Sequence, residues 1–298
     1  MLAKKIRGRL KERNAILLAH NYQRPEIQDV ADLCGDSLEL SLKAARTDAE
    51  VIVFCGVHFM AETASLACPD KIVLLPVSAG CPMADSITVE ALARRKAELP
   101  GVPVVTYVNS SAAVKALSDI CCTSANSIQV VNSLASDMVL MVPDPNLAYY
   151  TARHTTKKIL SWQGPCPIHD AMTCEDVLKT RRDHPGAIFM AHPECKPEVI
   201  GLADKVFSTS GMLAYAKESR HNSFIVGTEE GLLYPLRRDN PDKQFFLAWD
   251  GLICEEMKRT RIEDVLAALE NMQHVISVPE DVRDKAFMAV DRMLRMAL

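Results

Sequence analysis

The sequence predicts an α/β protein of three pseudo-symmetric, three-layer αβα domains with parallel sheets around a central active-site cavity, plus C-terminal helices. Three observations predict it. Short apolar runs alternate with amphipathic segments, the pattern of βαβ units with buried parallel strands. Similar segments recur at a period of about 86 residues. From about residue 257 onward the pattern is helical only.

The strand-like runs are AILLAH (15–20), VIVFCG (51–56), KIVLLPV (71–77), VPVVTYV (102–108), MVLMVP (138–143), KKILSW (157–162), AIFMAH (187–192), SFIVGT (223–228) and KQFFLAW (243–249). Each is short, apolar and rich in β-branched or aromatic residues. Between them, PEIQDVADLC, VEALARRKAEL, SAAVKALSDI and KPEVIGLADKV are spaced as amphipathic helices. In the tail, TRIEDVLAALENM and PEDVRDKAFMAVDRMLRM are amphipathic, with Thr260 and the Val278-Pro279-Glu280 stretch as start signals.

Three segments look alike: AHNYQRPEIQDVADLCGDS, TYVNSSAAVKALSDICCTS and AHPECKPEVIGLADKVFSTS. Their anchors at His20, Tyr107 and His192 start units 87 and then 85 residues apart, and each lies 17 positions before a hydroxyl residue, Ser37, Ser124 or Thr209. A second trio ends in Cys81, Cys166 and Cys254, separated by 85 and 88. Two sets of anchors thus share one period. The expected division is residues 1–87, 88–172 and 173–298, each with one of these cysteines and the last including the helical tail.

With 34 basic and 38 acidic residues the chain is nearly neutral, and its basic residues are dispersed, so no nucleic-acid partner is expected. No run of about 18 apolar residues predicts a membrane span, and no signal core is evident at the N-terminus. A cytoplasmic setting is expected, in which the ten cysteines are thiols. No Cys-x-x-Cys occurs, which argues against zinc ribbons and thioredoxin-like chemistry. GxGxxG and GxxxxGK[ST] are absent, so a nucleotide cofactor has no support.

In open parallel sheets, ligands gather beyond the carboxyl ends of the strands. Three such ends directed at one axis would bring Cys81, Cys166 and Cys254 into one pocket. Three thiolates select soft metals; they can also be buried small hydrophobes. A structural zinc usually takes four ligands, as does a [4Fe–4S] cluster. The other seven cysteines, Cys121 and Cys122 included, read as structural.

The motifs HNYQ with DLCGDS, GVHFMAET, GCPMADS, TYVNS with CTSAN, HPEC, STSGM and GTEEGLLYPL are ordered along essentially the whole chain. In these the sequence resembles the quinolinate synthases, iron–sulfur enzymes of NAD biosynthesis. The resemblance implies condensation of iminoaspartate with dihydroxyacetone phosphate to quinolinate, phosphate and water, and functional coupling to the enzyme supplying iminoaspartate. It implies Cys81, Cys166 and Cys254 as ligands of a [4Fe–4S] cluster, its free iron a Lewis acid. It matches His20, Ser37, the Tyr107-Val108-Asn109 run, Ser124, His169, the His192-Pro193-Glu194 run and Thr209 to substrate-contacting positions. Tyr22 matches an active-site tyrosine. Where some members carry a redox-sensitive Cys-x-x-Cys before the last ligand, this chain has Ala248 and Gly251.

Such substrates are anionic, yet no Arg/Lys cluster marks the site. Ser37, Ser124 and Thr209 each precede a helical run, where they can serve as N-caps and where helix amides attract anions. Tyr22, Tyr107, His192 and Glu194 are the candidate proton carriers. If the strand continues through Glu194, His192 and Glu194 share one side. His58 and Glu62 have helical i, i+4 spacing and read as domain packing. Two other readings stand beside this one: a three-cysteine zinc or iron lyase acting on another phosphorylated sugar, and an iron–sulfur carrier or sensor. The hydroxyl and histidine trio speaks against the sensor.

Overall fold

A computed structural model describes residues 1–296. Thirteen strands form three sheets. The first contains β1 (Ala15–His20), β2 (Leu33–Gly35), β3 (Val51–Cys55) and β4 (Ile72–Leu74), all parallel and ordered β2-β1-β3-β4. The second contains β5 (Val104–Tyr107), β6 (Ile120–Cys122), β7 (Met138–Val142) and β8 (Lys158–Ser161), ordered β6-β5-β7-β8. The third contains β9 (Ile188–Ala191), β10 (Lys205–Val206), β11 (Ser223–Gly227) and β12 (Gln244–Leu247), ordered β10-β9-β11-β12. The strand order is the same three times.

All nine expected strands are present. The structure adds a short edge strand to each unit, because the segments read as long helices divide. Pro25–Val30, Ala112–Ala116 and Pro197–Ile200 are short helices, and β2, β6 and β10 follow them. An aspartate makes each of these switches. Asp32, Asp119 and Asp204 accept the N–H of Leu17, Val104 and Phe189 at 2.8, 2.7 and 2.8 Å, tying each new strand to the central one. A carboxylate satisfying a strand amide in this way offers the backbone an alternative to continuing the helix.

The tail forms helices Ile262–Asn271 and Glu280–Arg295, with β13 (Val275–Ile276) between them pairing antiparallel to β4. The first of these helices is capped by Arg261, one residue after the expected Thr260; Pro279 caps the second. The tail follows the third unit in sequence but packs on the first two. Val265, Leu266 and Leu269 join Ile6, Leu10, Leu17 and Val53 in one core. Ala286, Val290 and Met293 enter another that runs from Leu18 and Phe54 to Val105 and Cys121. The third sheet has its own cores, centred on Phe189 and Ile225 on one face and Phe224 and Val226 on the other. Among the described residues no helix is long and apolar enough to cross a membrane.

Candidate active site

A cavity of about 290 Å³ opens beyond the carboxyl ends of the central strands. Its wall includes His20, Tyr22, Ser37, Tyr107, Asn109, Ser124, His169, His192, Glu194 and Thr209 together with Cys81, Cys166 and Cys254. Val108 and Pro193 are buried behind the wall; Val108 donates its amide to Cys122 O at 2.9 Å. Asn109 Oδ1 is buried without a hydrogen-bond partner.

The three cysteines arrive in the same way. Cys81 caps helix Pro82–Asp85, Cys166 caps Pro167–Ala171 and Cys254 caps Glu255–Lys258. Proline at the first helical position fixes the turn in the first two. Burial pushes the Cys81 thiol up to about 12, against the pull of the Ala84 and Met83 amides towards thiolate. Cys166 and Cys254 are also raised, burial first, and opposed by the amides of His169 and of Met257 and Glu256 respectively. Half-buried thiols on a cavity wall, with amides aimed at them, suit a cationic partner, which would hold them deprotonated.

Glu194 lies at the centre of the wall and is 4 % exposed. Tyr107 donates to Oε1 at 2.6 Å, and His169 Nδ1 is 2.8 Å from Oε2. Burial opposes its charge, but the neighbouring His192 and His169 rings and the Tyr107 hydroxyl hold the carboxyl down at about 2. A carboxylate only accepts, so His169 donates from Nδ1. In the tautomer with hydrogen on Nδ1 alone, Nε2 accepts from Thr228 Oγ1, 2.9 Å away, and Thr228 in turn accepts from Tyr22 at 2.5 Å. The hydrogen bonds therefore run in one direction, Tyr22 to Thr228 to His169 to Glu194. Burial also raises both tyrosines well above their ordinary range, with Glu194 adding to the effect. They are proton donors in this arrangement.

His20 and His192 share a local geometry. The Tyr22 amide donates to His20 Nδ1 at 3.2 Å and the Glu194 amide to His192 Nδ1 at 3.4 Å. Burial pushes both rings down to about 3, so both are neutral at pH 7. Since Nδ1 of His192 is an acceptor, its 3.5 Å approach to Glu194 is not an ion pair at that pH. β9 ends at Ala191, so a turn rather than continued strand places Glu194 beside His192.

Ser37 and Thr209 differ from expectation by one residue. Each is the first residue of its helix, and Asp36 and Ser208 are the caps. Asp36 occupies the Leu38 and Glu39 amides, both at 3.0 Å. Ser124 lies in a turn ahead of helix Ser127–Ser133, which Asn126 caps. Ser208 likewise occupies the Gly211 amide, at 3.3 Å, whereas Asn126 closes no side-chain capping bond on its helix. Thr209 Oγ1 also accepts from Asn21 at 3.0 Å. Glu62 accepts the Ala112 amide at 3.0 Å, joining the first and second units as expected. The sequence reading passed over Thr228, and also Glu229 with Lys258, a buried pair 2.8 Å apart that binds the Cys254 amide and Tyr22 O. Thr228 and Glu229 lie within GTEEG, a motif recognised whole without roles for its members.

Among the described residues only Cys166, His169 and Glu194 have ligating atoms as close as single-ion spacing, within 4.8 Å. The three cysteines line one cavity without gathering to that spacing, which fits a polynuclear group better than one ion.

Residues 4–295 match the family described as quinolinate synthetase A protein. The chain is similar to proteins named quinolinate synthase. It is 57% identical over 290 residues to that of Geobacter sp. (strain M21), covering 97% of this chain and 95% of that one. It is 55% identical over 297 residues to that of Dehalococcoides mccartyi, covering 99% and 98%. It is 54% identical over 294 residues to quinolinate synthase 1 of Methanosarcina acetivorans, covering 98% and 97%.

Proposed function

Because this chain belongs to the quinolinate synthetase A family, we propose that it makes quinolinate for NAD biosynthesis. It condenses iminoaspartate with dihydroxyacetone phosphate and releases phosphate and water. Cys81, Cys166 and Cys254 would hold a [4Fe–4S] cluster. When bound, such a group supplies one iron without a protein ligand, a Lewis acid towards substrate oxygen.

The protein's own residues have separable tasks. The hydroxyls of Ser37, Ser124 and Thr209 and the Asn109 amide present neutral donors and acceptors to anionic groups. Neutral His20 and His192 offer Nε2–H donors. The Tyr22–Thr228–His169 path moves a proton towards or away from the wall, and Glu194 receives it or returns it through His169 or Tyr107. The units divide near residues 87 and 172, and each sends one cysteine to the floor. Because an imine of this kind hydrolyses in water, supply by a neighbouring enzyme suits the substrate. The ten thiols, all free, suit a reducing cytoplasm.

The observation that carries this reading is that the three helix-capping cysteines and the directed tyrosine–threonine–histidine–glutamate path open on the same cavity. Anaerobically reconstituted protein, given iminoaspartate generated in place and dihydroxyacetone phosphate, should form quinolinate, measured by chromatography; brown, iron-loaded protein that forms none would sink the assignment. Thr228→Val keeps the shape and removes the hydroxyl. Turnover should fall at least ~10-fold with iron content unchanged, and an unchanged rate would remove the relay.

A further inference from the structure

We propose that Cys166 Sγ, His169 Nδ1 and Glu194 Oε2 form a mononuclear site for a borderline-soft divalent cation, with zinc the expected occupant, in protein that carries no cluster. His169 Nδ1 lies 3.2 Å from Cys166 Sγ and 2.8 Å from Glu194 Oε2. All three ligating atoms fall within 4.8 Å of one another. Tetrahedral zinc with bonds of 2.0–2.3 Å keeps its ligands roughly 3.3–3.7 Å apart. The two histidine distances therefore need to open by roughly half an ångström or less, and the Cys166–Glu194 pair already lies within 4.8 Å.

One thiolate, one imidazole and one carboxylate are donors that zinc accepts, and three protein ligands leave a fourth position for water. The charge balances. Cys166 releases its thiol proton to solvent, and the thiolate and carboxylate neutralise the dication. This matters because His169 and Glu194 are only 1 % and 4 % exposed, and an uncompensated buried charge is costly.

The outer contacts are those of a built site. Ligating histidines usually bond through their other nitrogen, which fixes the ring; here Nε2 meets Thr228 Oγ1 at 2.9 Å. The second Glu194 oxygen is held by Tyr107 at 2.6 Å. On binding, Nδ1 gives its proton up to Nε2, and Nε2 becomes the donor to Thr228. The ligands come from two units: Cys166 and His169 flank the start of helix Pro167–Ala171, and Glu194 lies on the turn after β9. The cation would bridge them. Cys166 is also one of the three cysteines assigned to the cluster, so, resting on that assignment, zinc and cluster are mutually exclusive.

The test uses anaerobic, cluster-free full-length protein titrated with Co²⁺ alone and then with Zn²⁺ in competition. The expected result is one tetrahedral cobalt per chain, with charge-transfer intensity from a single thiolate. Glu194→Gln and Cys166→Ala should each weaken binding at least 10-fold, with circular dichroism confirming that both variants fold, while Cys81→Ser and Cys254→Ser should leave it unchanged. Charge-transfer intensity from three thiolates, or loss of binding in Cys81→Ser, would place the ion among the three cysteines instead and overturn the proposal. So would the absence of stoichiometric cobalt. Zinc-loaded wild type should also resist cluster reconstitution until it is chelated. The quinolinate assay on cluster-loaded protein stands apart from all of these readings.

Discussion

His20 and His192 precede Tyr22 and Glu194 by two residues, and in both places the later amide holds Nδ1 as an acceptor. Their burial gives a pH signature. Both rings are pushed down to about 3 in the folded protein, against about 6.5 in the unfolded chain. Between those values the unfolded chain binds protons that the folded chain refuses. These two rings therefore leave stability unaffected above pH 6.5 and lower it on acidification towards pH 3, by at most about 1.4 kcal/mol per pH unit for each ring, while Asp144, whose carboxyl burial raises, acts in the opposite sense. Glu194 adds a loss of the same sign as the rings only below its unfolded value of about 4.3, as the pH falls towards the folded value of about 2. Urea midpoints compared at pH 7 and pH 5 sample the histidines first. The midpoint should drop less in His192→Asn than in the wild type over this interval; identical changes in the two proteins would mean that the His192 ring is charged or wet. At this scale the sequence was informative where residues recurred. His20, Tyr107 and His192 stood out because they share a period. Thr228 did not, because a single hydroxyl at a strand end looks like any other until its two partners, distant in sequence, are seen.

Each cysteine on the cavity floor begins a helix of four or five residues. Cysteine is a poor cap, and none of the three sulfurs closes a side-chain capping bond. Serine caps well, worth about 1 kcal/mol over a residue that cannot accept. Cys166→Ser should therefore keep or slightly raise fold stability while abolishing stable cluster binding. Iron and sulfide content after reconstitution, set beside a denaturation curve, separates the two; retained iron and activity would count against Cys166 as a ligand. The cysteine positions were legible from spacing, and Pro82 and Pro167 were legible as turn residues. The helices starting there were not, because four or five residues carry no periodicity. The same limit hid β2, β6 and β10. A strand of two or three residues leaves no alternation to read, and the preceding amphipathic pattern runs into it.

Across the molecule the triplication reaches residues that take no part in chemistry. Lys71, Lys157 and Lys243 lie 86 apart, and each ammonium reaches two backbone carbonyls at or just after the end of the second-last α-helix before it: Thr47 and Ala49, Leu134 and Ser136, Ala216 and Ser219. These lysines and Asp32, Asp119 and Asp204 were present in the aligned segments, but side chains that bond only to backbone have no signature in composition. What sequence order could not convey is where the tail goes. Helix Glu280–Arg295 follows the third unit yet completes the core shared by the first two. It should therefore be integral to the fold rather than an appendage. Met293 is fully buried in that core, and Met293→Ala should destabilise the protein by about 2–5 kcal/mol. Met288, on the same helix, is 52% exposed, and Met288→Ala should stay within about 0.5 kcal/mol. Urea denaturation of the two variants reads the difference directly. Equal midpoints would mean that the tail frays from the first two units without consequence, and that their shared core closes without it.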